Sequence, residues 1–152
     1  MKINIICIGK LKEKYLVDAE KEYVKRLSRF CELKIIELNE ERENTPNALL
    51  KEAERILSKI NDKDFVIALA IEGRKRDSED FSKDIISIFE SGKQSISFVI
   101  GGSEGLDESV KKRADYLLSF SDMTFPHQLM RIILLEQLFR AYKIANKEKY
   151  HK

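Results

Sequence analysis

Short apolar, β-branched runs alternate along this chain with amphipathic segments of helical period, and that alternation restricts the fold more than any other feature. The runs are Lys2–Ile8 (KINIICI), Leu33–Leu38, Phe65–Ile71 (FVIALAI) and Phe98–Ile100. Between them, Tyr15, Ala19, Tyr23, Leu27 and Phe30 recur at three- and four-residue steps. So do Leu49, Ala53, Ile56, Leu57 and Ile60 after Pro46, and Phe81, Ile85, Ile88 and Phe89 before Gly92. Strand–helix alternation predicts an α/β fold with a mostly parallel sheet, right-handed crossovers and helices on both faces. Phe65–Ile71 is apolar throughout, as expected of a strand covered on both sides. Glu72–Ser78 reads as a polar loop around Gly73, with Ser78 as the cap of the next helix. Residues 1–152 show no repeat and no linker, which predicts one domain.

Composition narrows the functional classes. Hydrophobic residues make up 43% and charged residues 36%, so the chain is neither disordered nor membrane-like. Its longest uncharged stretch is Gln94–Ser103, well short of the ~20 residues a membrane span needs. Cys7 and Cys31 lie far apart without a CxxC, so neither a disulfide framework nor a zinc site is expected, and a reducing cytoplasm is the expected setting. Net charge is only +2, but both ends are basic: residues 1–30 hold eight Lys/Arg against four Asp/Glu, and residues 126–152 hold six against two. Brought together in space, the ends would form a surface suited to nucleic acid; scattered, they are an ordinary solvated surface.

The candidate site lies between Phe98 and Tyr142. A buried-type strand runs into Gly101-Gly102-Ser103-Glu104-Gly105, then a short charged helix, then a second apolar strand at Asp115–Phe120. The glycine turn matches neither the dinucleotide fingerprint nor the nucleotide P-loop. It either lets a backbone approach a ligand or simply packs a helix on the sheet. Phe120, Met123 and Phe125 fall in the following loop, where an apolar side chain needs a cover: the next helix, a second subunit, or a flat aromatic ligand such as adenine. Ligands of open α/β sheets bind outside the carboxyl ends of strands, which is where both loops start.

Pro126 suits the first position of the longest apolar helix, predicted to run to about Lys147. Glu136, Arg140, Lys143 and Lys147 share one narrow polar strip, with Arg131 opposite among Leu134, Leu135 and Leu138. So wide an apolar face predicts two burying surfaces, the sheet and a second copy of the chain. An arginine there must be paired or face a ligand. Composition alone predicts a disordered tail at Tyr150-His151-Lys152.

Together these residues resemble a family. Ile100–Leu106, Leu118–Ser121, Met123-Thr124-Phe125-Pro126-His127-Gln128-Leu129 with Arg131, Glu136-Gln137-Leu138-Phe139-Arg140-Ala141, and Tyr150-His151 are similar to the small SPOUT-class methyltransferases that modify pseudouridine in large-subunit (23S) ribosomal RNA, the large subunit methyltransferase H family. The opening Gly9-Lys10-Leu11-Lys12 is similar too, so the resemblance spans the chain.

What the resemblance implies is S-adenosylmethionine-dependent methylation at N3 of a pseudouridine on the ribosome, a C-terminal trefoil knot and a homodimer; no metal is expected, since no metal-ligand cluster is visible in the sequence. It implies a cofactor site at Leu69, Gly101, Phe120, Ser121, Asp122, Met123, Thr124 and Phe125. For such a reaction Arg131 and His151 are expected nearest the target base, Arg131 to stabilise charge on the base carbonyls and His151 to orient the base or accept a proton, with Tyr150 to stack. Two positions depart from the pattern. Ala70 stands where the family more often carries an acid, and Asn146–Lys149 precede Tyr150 where relatives often have glycine or proline. The competing reading is a dimeric RNA- or ribosome-binding module without catalysis. A nucleotide hydrolase is disfavoured by the lack of a phosphate loop.

Overall fold

The computed structural model describes residues 1–152. Its elements follow the order β1 (Lys2–Ile8), α1 (Lys14–Leu27), β2 (Glu32–Leu38), α2 (Ala48–Ser58), β3 (Phe65–Lys75), α3 (Ser78–Glu90), β4 (Ser95–Ile100), α4 (Glu108–Arg113), β5 (Tyr116–Ser119) and α5 (His127–Ala145). The five strands form one sheet in the order β2-β1-β4-β3-β5, and every pairing is parallel. The predicted α/β class is therefore observed. No helix is long and apolar enough to cross a membrane.

Strand alternation divides the core in two. Ile3, Ile5 and Cys7 of β1 with Ile96, Phe98 and Ile100 of β4 face α1, α3 and α5. Ile6, Ile8, Val66, Ala68 and Val99 face α2 and α4. Successive side chains of a strand point to opposite faces, so one uncharged run supplies both layers. The second face contains one polar island: Asp64, nearly buried, accepts from the Ser97 hydroxyl at 2.8 Å and the Ser95 hydroxyl at 2.5 Å.

Three local expectations are corrected. Glu72–Lys75 is not loop: β3 continues through it after a bulge, pairing Leu69 and then Arg74 with the same Leu118. Gly73 sits at this irregularity, where a Cβ would lie 2.7 Å from the Leu117 carbonyl group, so only glycine lets β5 approach so closely. The cap of α3 is Asp77 rather than Ser78; its carboxylate accepts from the Asp80 amide at 2.7 Å. Pro126 is the N-cap of α5, not its first helical residue, because its ψ of 134° is extended.

α5 is covered more fully within one protomer than the pattern predicted. α1 and α3 flank it over the sheet, and Leu134, Leu135 and Leu138 are wholly buried. The tail is not loose either. Tyr150 is half-buried, its ring edge-on to Phe139 with the ring centres 5.0 Å apart and its hydroxyl donating to Glu136 at 3.1 Å. An aromatic with both an apolar body and a polar tip can be held at each, which a composition count does not register.

Candidate active site

The carboxyl ends of β3, β4 and β5 open into a cavity of about 660 Å³, within the usual range for small-molecule sites. Each wall follows from local sequence. β4 delivers Ile100 to the glycine turn, whose Gly102 and Gly105 bridge each other. Gly101 is buried so tightly under this turn that a Cβ would sit 2.5 Å from the Gly105 carbonyl oxygen. β5 delivers Ser119 to the Phe120–Phe125 loop. That loop is held by its own hydroxyls: Ser119 donates to the Ser121 carbonyl at 3.1 Å, and the Met123 amide donates to the Ser121 hydroxyl at 3.0 Å. β3 contributes Leu69, Ala70, Ile71 and Glu72.

Of the residues expected at a cofactor, Leu69, Gly101, Phe120, Ser121, Met123, Thr124 and Phe125 all line this cavity. Asp122 does not; its carboxylate accepts from Lys75 at 2.6 Å. Sequence reasoning missed Glu72, Lys111 and Met130, which also line it, as does His127. Glu72 lies two residues past Ala70 in the irregular stretch of β3, and both line the cavity. Reading 72–78 as loop hid that signal. Glu72 and Lys111 bear the cavity's only formal charges and pair at 2.6 Å. Lys111, bonding to Glu72, holds the Glu72 carboxyl below its ordinary range, and the same bond raises the Lys111 ammonium.

The residues expected at a target base separate into two places. Arg131 is 1% exposed and lines no described cavity. Its guanidinium donates to Glu37 at 2.7 Å, to Glu20 at 3.0 Å and to the Gly9 carbonyl at 3.1 Å. Next to it the Cys7 thiol is pushed up to about 12, chiefly by burial. His151, by contrast, lines a second cavity of about 530 Å³ with Arg76, Ser78 and Gln137. Leu118, Ser119 and Phe120 belong to both cavities, so they form a common wall.

Around the tail, Arg140 stands 4.8 Å over the Tyr150 ring, is bonded to Glu136 at 2.8 Å, and lies 3.2 Å from His151 Nδ1. Because a guanidinium only donates, Nδ1 accepts, and in the neutral ring the proton sits on Nε2. The two basic ends also meet here, since α1 packs on α5 and Arg26 and Lys143 both approach the Phe139 ring.

With this geometry in view, the chain matches known proteins over its full length. A family model described as "Predicted SPOUT methyltransferase" matches residues 1–151. Proteins named "Ribosomal RNA large subunit methyltransferase H" from Streptococcus pyogenes strains Manfredo and MGAS8232 are each 53% identical, with 100% of both chains covered. Among solved structures, a probable methylase family protein from Haemophilus influenzae has a TM-score of 0.60 at 16% identity, covering 99% of this chain and 70% of that one. A tRNA methyltransferase from Aquifex aeolicus has a TM-score of 0.55 at 15% identity, covering 92% and 70%. At those identities the two structures speak for the fold alone.

Proposed function

The chain belongs to the SPOUT methyltransferase family, and from that premise we propose that it transfers a methyl group from S-adenosylmethionine to N3 of a pseudouridine in large-subunit ribosomal RNA. Its main support is the cavity at the ends of β3, β4 and β5. Seven of the eight residues expected at the donor converge there from three separate stretches of sequence.

The cavity fits the donor's chemistry. Gly101 leaves backbone bare where a Cβ would clash, Phe120 and Phe125 offer apolar surface to a flat base, and Ser121 and Thr124 add hydroxyls. When bound, the donor supplies a methyl group already activated as a sulfonium. The protein's part is to hold the acceptor nitrogen in line and keep water out.

The second cavity takes the acceptor. It abuts the first across Leu118–Phe120 and holds polar groups suited to a uracil-type edge: Ser78, Gln137, Arg76 and His151. With Nδ1 accepting from Arg140, His151 presents Nε2–H as a donor, which serves to orient a base carbonyl. Tyr150, packed on Phe139 and under Arg140, does not line this cavity and instead anchors the tail that carries His151. Arg131 acts as a positioning residue, fixing the Gly9 loop, α1 and β2 against α5.

The finer fold assignment is a C-terminal trefoil knot. Its support is that the chain leaving β4 crosses β3 to reach β5, on the far side of that strand. The proposal extends to a homodimer acting on the ribosome in the cytoplasm. Met123, 74% exposed, and Leu129, 39% exposed, lie beside the donor cavity and await a cover that a second chain would supply.

Calorimetry with S-adenosylmethionine, followed by mass mapping of ribosomal RNA from cells with and without the gene, tests this reading. Stoichiometric binding and loss of one methyl at a pseudouridine are expected. No binding at high concentration would leave the non-catalytic module as the better account.

A further inference from the structure

The Glu72–Lys111 pair is more than a strut. Both side chains line the donor cavity, and no other formally charged side chain does. They come from different elements, Glu72 from the extended end of β3 and Lys111 from α4, and meet at 2.6 Å. Lys111 also lies 3.6 Å from Glu108. The loop after β5 and the start of α5 contribute groups of another kind: Phe120, Met123, Phe125 and Met130 carry no charge. The cavity thus combines apolar surface with one positive and one negative group in contact.

A nucleoside carrying an amino-acid tail has the matching combination. Its base is flat and apolar on both faces, and its tail is a zwitterion, with an ammonium and a carboxylate on one carbon. We propose that Glu72 and Lys111 recognise that zwitterionic tail, Lys111 receiving the carboxylate and Glu72 the ammonium. This inference rests on the donor reading above and adds to it the orientation of the ligand.

Geometry and charge agree. The Glu72 side chain is 56% exposed and that of Lys111 22% exposed, so both have surface left for a ligand despite their mutual contact. A zwitterion inserted between them exchanges one ion pair for two without leaving a charge unmatched, whereas an uncompensated charge in a partly desolvated site is costly. The pair also explains how a cavity with Ala70 keeps a carboxylate: Glu72 stands two residues along the same strand. Lys111 holds Glu72 ionised and Glu72 holds Lys111 protonated, so both charges persist through the neutral range.

The test compares two uncharged-sulfur probes by calorimetry on the full chain. S-adenosylhomocysteine carries the zwitterionic tail; 5′-methylthioadenosine has the same base and sugar but no tail. Wild-type protein is expected to prefer the first by roughly tenfold or more, the usual worth of charge-assisted hydrogen bonds. In Lys111→Met and in Glu72→Gln the preference is expected to shrink toward unity while 5′-methylthioadenosine affinity stays within about twofold. Thermal melts report whether each variant is folded, and Glu72→Gln, nearly isosteric, guards against a folding defect in the other. Equal losses for both probes would overturn the proposal and assign the pair to the sugar or to the turn. An unchanged preference would overturn it as well. Wild-type protein that binds neither probe would sink the donor reading itself, an outcome distinct from both.

Discussion

Arg131 and Glu37 are 94 residues apart in sequence and 2.7 Å apart in the fold. The contact ties the first turns of α5 to the far end of β2, and Glu20 and the Gly9 carbonyl accept from the same guanidinium, whose Nε alone has no partner. A buried cation tolerates that position only because acceptors surround it. Arg131→Met is therefore expected to destabilise the protein by about 3 kcal/mol, near the low end for breaking a buried pair, with a lower urea midpoint and an unchanged m-value. If instead stability held and single-turnover methylation of ribosomes failed, Arg131 would touch the reacting base rather than position the scaffold.

Gly101→Ala tests the turn. Its new methyl meets the Gly105 carbonyl oxygen at 2.5 Å, so the turn must open. Overpacking of this kind costs roughly 1–3 kcal/mol. Donor affinity is expected to fall by about tenfold or more, measured by calorimetry, with the far-ultraviolet circular dichroism spectrum retained. Affinity equal to wild type would detach this turn from the donor.

The buried thiols give an alkaline signature. Cys7 rises from its ordinary 9.0 to about 12, and burial is the largest cause. A group with a raised folded value contributes stability that is complete below its unfolded value and lost as pH climbs through the folded one. Stability is expected to decline between pH 9.0 and about 12, with Tyr116, also raised to about 12 by burial, adding from pH 10.0 upward. Cys7→Ala should be less stable at neutral pH yet show a shallower alkaline loss. In native protein both Cys7 and Cys31 should resist alkylation until denaturant is added, as followed by mass spectrometry.

Removing residues 150–152 separates scaffold from chemistry. Tyr150 packs on Phe139, bonds Glu136 and lies under Arg140, all at the edge of α5. Stability should fall by only about 1 kcal/mol, the scale of one partly exposed aromatic contact. Donor binding should be unaltered, and methylation of ribosomes should drop by on the order of 100-fold, as for loss of a substrate-positioning group. A truncated protein with full activity would remove the tail from the mechanism.

Docking on RNA should be sensitive to salt. The basic ends meet where α1 packs on α5, but Arg26, Arg140 and Lys143 are each engaged by an acid, Glu22, Glu136 and Glu148 respectively. Phosphate contacts then fall to neighbours such as Lys25, Arg29 and Lys147. Reversing Lys25 and Arg29 to glutamate is expected to weaken ribosome binding and flatten its dependence on salt, measured from 50 to 200 mM as in the roughly linear log–log regime.

Much of this architecture was legible in the residues themselves. β1 falls on Lys2–Ile8 as its apolar run predicts, and the segment ending at Gly92 closes as read. Strand order was not legible, because β3 and β4 exchange places with respect to sequence and no local pattern encodes which edge a strand joins. The extension of β3 through Glu72–Lys75 was hidden for a related reason: those polar residues are strand only because β5 arrives beside Gly73 from 44 positions onward at Leu117. The same omission concealed Glu72. Periodicity placed Arg131 on the buried side of α5 and demanded a partner, but Glu20 and Glu37 lie on other elements and only the assembled layers bring them within reach. The tail failed as a composition argument because its order derives from contacts with α5.

Leu118, Ser119 and Phe120 face two chambers at once. With donor and acceptor assigned to the two chambers as proposed, such a party wall would deny the two ligands independent histories. A substitution that enlarges one room shrinks or reshapes the other, so variation at these three positions must satisfy two tenants simultaneously, and a change that refits the enzyme to a new acceptor would be expected to surface first as altered handling of its donor.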